Sequence, residues 1–317
     1  MRVQMLWQSS HHNAFTDLIY YHQAWYCVFR EGSTHMSLDG KIRVLRSVDA
    51  ETWTLLTTLS WQGGDLRDPK LSISPQQQLI LSAGIRWAVP LSIESKIYSV
   101  AWPFDAEHQA WLEPSLDRIS QGTWRWATTW HHQYAYSVGY SGHDKQGCLY
   151  RSDDGLNWQN WVAPFFPDAD VMSNETSIAF DGERAYCLLR RDGRGGAKAM
   201  LGQSLPPYND WQWRTLNQSI GGPKLLKLSN GELVAAVRYI NYKRWKAKTI
   251  IYKLDPVRNR LKPWRVLPSG GDCSYAGLVE QNGKLYVSYY STQPDNQVSI
   301  CLAVIPLINK KRSGRFG

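Results

Sequence analysis

The 317-residue chain predicts an all-β fold: a six-bladed β-propeller of four-stranded antiparallel blades, with the N-terminal strand closing the last blade. Three observations carry this expectation. One hairpin plan recurs along the whole chain, turn residues separate short apolar runs within each copy, and the last copy lacks a fourth strand while an N-terminal strand lacks a partner.

The plan is plainest near the C-terminus, where Ser274-Tyr275-Ala276-Gly277-Leu278-Val279 passes through an Asn282-Gly283 turn into Leu285 to Tyr290. Copies begin near residues 14, 69, 124, 175, 222 and 275, spaced by 55, 55, 51, 47 and 53 residues. These spacings fit blades of roughly 40 to 50 residues or slightly more. Turns such as Ser74-Pro75, Asp181-Gly182, Asn230-Gly231 and Asn282-Gly283 join the first two strands of a copy, because Gly and Asn accept the positive φ that tight hairpins require. A second pair follows, as in residues 42–45 with 53–59, 148–150 with 158–162, and 249–252 with 264–267. In the last copy residues 298–305 give a third strand, and Val3 to Trp7 is expected to supply the fourth, removing an exposed sheet edge.

With 43% hydrophobic and 13% aromatic residues the chain can bury a large core, and no linker or low-complexity stretch divides it. A single propeller over 1–308 with a basic tail at 309–317 is therefore expected, with insertions at 85–96 and 239–246. No run approaches the ~18 apolar residues of a membrane span, and Met1 to Ser10 lacks the apolar stretch of a signal peptide. Cys27, Cys148, Cys187, Cys273 and Cys301 are odd in number and show no close pairing, so they read as buried thiols in a reducing, cytoplasmic compartment.

A formal charge of +9 and a pI near 9.2 favour an acidic partner. Nucleic acid is the less favoured one, since it needs the basic residues on an outer stripe rather than around a mouth. No cofactor or metal is expected. His11-His12 and His131-His132 would point to opposite faces of a strand, and Gly193-Arg194-Gly195-Gly196 lies between strands, not before a helix as a phosphate loop would.

Ser47-Val48-Asp49-Ala50-Glu51-Thr52-Trp53 and Ser152-Asp153-Asp154-Gly155-Leu156-Asn157-Trp158 share the pattern S-x-D-x-x-x-W. In each the carboxylate can bond turn amides while the Trp packs between strands. The pattern resembles the Asp-box turn of sialidases and related propellers. Asn174-Glu175-Thr176 opening one copy, with Arg190 closing its next strand, resembles the sialidase blade bearing an Asn-Glu pair and a substrate-binding Arg. The Tyr275 segment resembles the sialidase strand that carries a nucleophilic tyrosine, and the resemblance covers nearly the whole chain.

That resemblance implies a hydrolase acting on an acidic oligosaccharide or glycoconjugate. A carboxylate beside the anomeric carbon repels an anionic nucleophile, so a tyrosine attacks instead. Tyr275 would be the nucleophile and Glu175 its base, with Arg190 and Arg238 gripping an anionic group. Asp39, in Asp39-Gly40-Lys41, resembles the acid/base residue, with His35 as the substitute; Asp-Gly is also an ordinary hairpin turn. Where sialidases carry their first carboxylate-binding arginine, this chain has His12-Asn13-Ala14-Phe15. Either Arg30 or Arg67 takes over, or the substrate is not an ordinary sialic acid; Arg67 also reads as a structural ion pair with Asp65 or Asp68.

The residues alone point to the same place, because first-strand starts and second-strand ends meet at one mouth of a propeller. Arg67, Asp68, Glu175 and Tyr275 lie at starts, and Arg30, Arg190 and Arg238 at ends. Arg30, His35, Arg67, Asp68, Arg190 and Arg238 form the expected substrate-binding set. The alternative is a propeller that binds glycans without cleaving them.

Overall fold

In the computed structural model, residues 1–87, 97–141, 145–166, 168–193, 196–242, 244 and 246–307 are described. The expected tail at 309–317, most of the insertion at 85–96, residues 243 and 245 of the second insertion, and Arg194 and Gly195 of the glycine-rich connector lie outside them. Every regular element among the described residues is a strand, and none forms a helix long and apolar enough to cross a membrane.

The strands follow in groups. After β1 (Arg2–Trp7) come β2 (His12–Tyr21), β3 (Ala24–Gly32), β4 (Lys41–Ser47) and β5 (Thr54–Leu59). Next are β6 (Gly64–Ile73), β7 (Leu79–Trp87), β8 (Ile97–Asp105), β9 (Ala110–Trp111) and β10 (Ser115–Asp117). The third group is β11 (Trp124–His131), β12 (Tyr134–Tyr140), β13 (Cys148–Ser152) and β14 (Gln159–Val162), and the fourth β15 (Met172–Asp181), β16 (Arg184–Asp192), β17 (Met200–Ser204) and β18 (Gln212–Thr215). Then come β19 (Gly221–Lys227), β20 (Leu233–Asn241), β21 (Lys246–Asp255) and β22 (Arg260–Val266), and finally β23 (Cys273–Gln281), β24 (Lys284–Thr292) and β25 (Val298–Pro306).

Hydrogen bonding arranges them in five sheets, not the six separate four-stranded ones expected. The first and last groups share an eight-stranded sheet through one parallel pair, His12 with Val298, and the β6–β10 sheet has five strands. β1 pairs antiparallel with β25, Val3 opposite Ala303, as the missing last strand required. First strands pack on one another in a closed circuit: β2 on β6, β6 on β11, β11 on β15, β15 on β19, β19 on β23, and β23 on β2. Lys224 Nζ reaches Asp17 Oδ1 at 2.9 Å, tying β19 to β2 within that circuit.

Apolar faces of neighbouring sheets make the core. Tyr26, Val28 and Val44 pack on Leu66, Leu81 and Val100 from the next group, and Val234 and Ala236 pack on Leu278, Leu285 and Val287. Each fully buried Val or Leu stabilises the fold by about 1.5–3 kcal/mol. All five cysteines are buried and free.

The two Ser-x-Asp turns make the same bonds. Asp49 Oδ1 accepts from the amides of Glu51 and Thr52 at 2.8 Å, and Asp154 Oδ1 from Leu156 at 2.8 Å and Asn157 at 2.7 Å. At the Asn282-Gly283 turn both residues have positive φ, 49° and 68°, which is why that dipeptide stands there.

One recurring feature positions the site. Every first strand of the circuit slips register at the same place: between Ala14 and Asp17, Arg67 and Lys70, Arg125 and Thr128, Ser173 and Thr176, Gly221 and Lys224, and Ser274 and Gly277. Such bulges leave residues unpaired in the ladder and re-aim their side chains. Phe15, Asp68, Gly222 and Tyr275, all inside them, take left-handed φ of 60°, 49°, 52° and 48°. For the three that carry side chains this is a costly backbone, and such strain collects at functional sites.

Candidate functional site

The bulges put Phe15, Asp68, Glu175 and Tyr275 around one cavity of about 410 Å³, where Arg67, Arg190 and Arg238 join them from first-strand starts and second-strand ends. Trp124 and Tyr140 complete its aromatic wall.

At its centre the Tyr275 hydroxyl donates to Glu175 Oε1 at 2.6 Å. Arg190 Nη1 donates to that carboxylate oxygen at 2.7 Å and to the Tyr275 oxygen at 3.1 Å, while Arg238 Nη2 donates to the Tyr275 oxygen at 3.2 Å. Two guanidinium donors on one phenol oxygen are suited to a negative charge that develops there. Carboxylates behind the arginines fix them: Asp192 Oδ1 accepts from Arg190 Nε at 2.9 Å, and Asp272 Oδ1 from Arg238 Nη1 at 3.1 Å.

Burial acts to raise the Glu175 carboxyl, but the charge and hydrogen bond of Arg190, the Tyr275 bond and the charge of Arg238 outweigh it and hold the group below its usual value. For Tyr275, burial and the Glu175 charge push the phenol well up, against the opposing pull of both arginines. The resting pair is thus a carboxylate beside a neutral phenol, with a hydrogen bond along which the proton can pass.

Gly222 is the residue that the sequence reading passed over. Its amide donates to Glu175 Oε2 at 2.8 Å. A Cβ on it would come within 2.7 Å of Tyr275 Cγ, so only glycine lets the ring lie there. Gly222-Pro223, at the repeat position where other copies carry Glu175 or Tyr275, is the signal that marks it.

Around Asp272 a second cluster forms. Asp272 Oδ2 meets His35 Nδ1 at 2.7 Å and His12 Nε2 at 3.0 Å, and its Oδ1 accepts from Tyr290 at 2.8 Å as well as from Arg238. Burial would raise this carboxyl; the two histidine bonds, the His35 charge and the Tyr290 bond drive it far down. The donor atoms of His12, His35 and Asp272 lie within 4.8 Å of one another, a set of the type that binds divalent metals. Asp272 nevertheless already receives four hydrogen-bonding groups from protein. His131 and His132 also come together, both against Glu183, instead of on opposite strand faces. His132 has left the strand for a turn with φ of 50°.

The remaining expected site residues divide. His35 lines the cavity with its ring edge-on to Phe15 at 5.2 Å. Arg67 also lines it, over Phe15 at 5.0 Å, and its Nη1 bonds His35 O at 2.8 Å and Asp65 Oδ2 at 3.2 Å, so the ion-pair reading holds along with the cavity position. Asp68 is a buried cavity carboxyl that burial pushes up against the opposing charges of Arg67 and Lys70.

Arg30 is a correction. Its side chain is wholly buried, with Nε on Asp65 Oδ1 at 2.7 Å, Nη1 on Thr34 O at 3.0 Å and Nη2 on Ser37 O at 2.9 Å. It secures the 33–40 loop instead of facing a ligand. Asp39, on that loop, is exposed, is not among the cavity-lining residues, and bonds the hydroxyl and amide of Ser33. Those Ser33 bonds, with Ser37, hold its carboxyl far below its usual value.

No protein-family profile matches the chain, and no curated protein sequence matches it. Solved structures do. A protein of unknown function from Dyadobacter fermentans superposes with a TM-score of 0.83 at 17% identity, covering 97% of this chain and 98% of that one. The endosialidase of phage phi92 gives 0.72 at 9% identity, covering 100% of this chain and 71% of that one. Trypanosoma rangeli sialidase in complex with sialic acid gives 0.65 at 13% identity, covering 94% of this chain and 55% of that one, so the chain spans about half its length. At these identities the likeness is one of fold. Antiparallel sheets in a propeller arrangement that superpose on sialidases over nearly all of this chain's length give it a divergent sialidase-like fold.

Proposed function

We propose that the chain is a retaining, sialidase-like glycoside hydrolase that acts on an acidic glycan. The observation that carries this reading is the Tyr275 hydroxyl on Glu175 Oε1 at 2.6 Å with Arg190 and Arg238 both directed at the phenol oxygen. In the same reading the eight-stranded sheet counts as two blades, since a single residue pair joins its halves, and the propeller has six.

The substrate carboxylate is taken by Arg190 and Arg238, which Asp192 and Asp272 hold in place. Tyr275 Oη attacks the anomeric carbon as Glu175 accepts the phenol proton, and the bond to the leaving oxygen breaks. His35 protonates that oxygen. Its Nδ1 is fixed by Asp272, leaving Nε2 for the proton transfer, and its side chain is 41% exposed. In the second half, water displaces Tyr275 from the sugar, Glu175 returns its proton to the departing phenolate oxygen, and His35 takes the water's proton. The two displacements together retain the anomeric configuration. Asn13, at the place of the first sialidase arginine, donates instead to Val298 O at 2.8 Å within the scaffold, so carboxylate recognition falls on the two remaining arginines.

The second reading, a propeller that binds the glycan without cleaving it, is favoured by the position of Asp39 away from the cavity. Turnover separates the two. Aryl glycosides of sialic acid and of other carboxylated sugars, beside neutral ones, are incubated with the protein and product is followed. Release of an acidic sugar with retained configuration supports the hydrolase. Binding of the same glycosides without release supports the alternative.

A further inference from the structure

Arg67, Arg86, Arg190 and Arg238 all line the cavity. Three of them face carboxylates: Arg67 meets Asp65 at 3.2 Å, Arg190 meets Glu175 at 2.7 Å and Arg238 meets Asp272 at 3.1 Å. Among the described residues Arg86 has no carboxylate in ion-pair range, and its Nη1 is shut away from solvent without a hydrogen-bond partner. A charged donor left unpaired away from water is among the costlier things a fold can keep, and a cavity wall is where a ligand relieves that cost.

The register shows why the scaffold does not neutralise it. Arg86 stands opposite Asp65 in the β6–β7 ladder, where the two side chains share a face of the sheet. Asp65 is already taken, its Oδ1 by Arg30 and its Oδ2 by Arg67. Asp68, the carboxyl of this sheet that lines the cavity, has Arg67 and Lys70 as the main opposite charges acting on it. Among the described residues Arg86 therefore remains as unbalanced positive charge, on a different sheet from Arg190 and Arg238, which stand on β16 and β20.

We propose that Arg86 is the anchor of a second anion subsite, and that the substrate is a carboxylated sugar bearing a further anionic group. This rests on the reading that Arg190 and Arg238 take the sugar's own carboxylate. Arg67, its guanidinium over Phe15 at 5.0 Å and over Trp124 at 5.9 Å, lies in the same cavity and supports the second group from its flat aromatic seat. The further group comes either from the carboxylate of an adjoining acidic sugar or from a sulfate ester on the same sugar; both present oxygens to a guanidinium fork in the same way.

Titration calorimetry on the full chain with three probes tests this: sialic acid, a disaccharide of two sialic acids, and a sialic acid sulfate ester. One dianionic probe should bind at least about tenfold tighter than sialic acid, equivalent to ~1.4 kcal/mol. That ratio should fall toward one in Arg86→Gln and be kept in part in Arg86→Lys, which retains the charge. The probe that shows the gain identifies the source of the second group. Sialic acid bound, with no gain for either dianionic probe, overturns the second subsite and leaves the first reading standing. A gain that survives in Arg86→Gln overturns it equally. No binding of any probe overturns both.

Discussion

Arg30 and Arg238 hold matching places in their repeats, yet one is buried scaffold and the other forms part of the cavity. Each stands on a second strand opposite the residue that precedes the first-strand bulge, Arg30 across from Ala14 and Arg238 across from Gly221. What differs is what closes over them. Gly40 sits so close to Arg30 and Asp65 that a Cβ there would lie 1.9 Å from the Asp65 carboxylate, and the 33–40 loop gives its carbonyls to the guanidinium. Around Arg238 the bulge residue is Gly222, whose missing side chain leaves room for the Tyr275 ring, and the guanidinium lies 4.9 Å from that ring's centre. An arginine's place in a repeat thus gives its height on the propeller, while the residues one and two strands away decide whether it meets ligand or protein.

The comparison breaks first at Tyr275. Tyr275→Phe keeps the ring's packing against Phe15 and Trp126 but removes the oxygen on which Glu175, Arg190 and Arg238 converge. Turnover of the best glycoside should fall by roughly 10⁴-fold or more, with a thermal midpoint within a few degrees of wild type. Wild-type turnover in the variant would end the tyrosine mechanism.

His35 and Asp39 share the loop that Arg30 secures, and they separate its two possible acids. His35→Gln should lower turnover by about 10²–10⁴-fold, the usual contribution of a general acid. Asp39→Asn should cost far less, because its carboxyl faces Ser33 and not the cavity. Initial rates on an aryl glycoside with a poor leaving group make the contrast widest. The reverse order would return the acid role to Asp39.

Arg30→Met tests the scaffold side. It leaves Asp65 Oδ1 without its partner inside the protein and frees the carbonyls of Thr34 and Ser37, a break of a buried ion pair worth about 3–5 kcal/mol. Denaturant midpoints read that loss directly. A variant as stable as wild type would mean that Arg67, which already holds Asp65 Oδ2, takes over the whole carboxylate.

How far the sequence went follows from the same residues. Repeat spacing and Asn-Gly chemistry were enough for an all-β propeller fold and for β1 pairing with β25, because both are consequences of local turn geometry and of an unmatched edge. Glu175, Arg190, Arg238 and Tyr275 were placed together because strand starts and ends converge at one mouth. The bulges were not legible: a one-residue slip leaves the apolar pattern on either side intact, so Gly222 stands in the sequence only as the start of a copy. Arg30 reads as a cavity residue because nothing in its own strand tells that the 33–40 loop closes over it. Nor was the eight-stranded sheet, which depends on a single pair of residues far apart in the chain. Arg86 was passed over as well, since nothing in an isolated arginine tells that its cross-strand carboxylate is already taken.

The finest contrast is between the two carboxyls that share the cavity, Glu175 held below its usual value by its arginines and Asp68 pushed above its own by burial. Their stability contributions therefore run in opposite directions with pH. A carboxyl whose folded pKa is raised costs nothing below its unfolded value, near pH 4. The cost grows as pH rises through the folded value and is then constant. Asp68→Asn, which cannot ionise, should accordingly match wild type in stability at about pH 3 and exceed it modestly at pH 7. For Glu175→Gln the sign reverses: Glu175 contributes stability above its unfolded value that is lost as pH falls through its lower folded one, so the variant should be the less stable at pH 7 and approach wild type in acid. Denaturant midpoints of both variants across that range settle it. A loss of stability in Asp68→Asn at pH 7 would mean that the Asp68 carboxylate is balanced by Arg67 and Lys70, and that the two carboxyls of the cavity are paired alike.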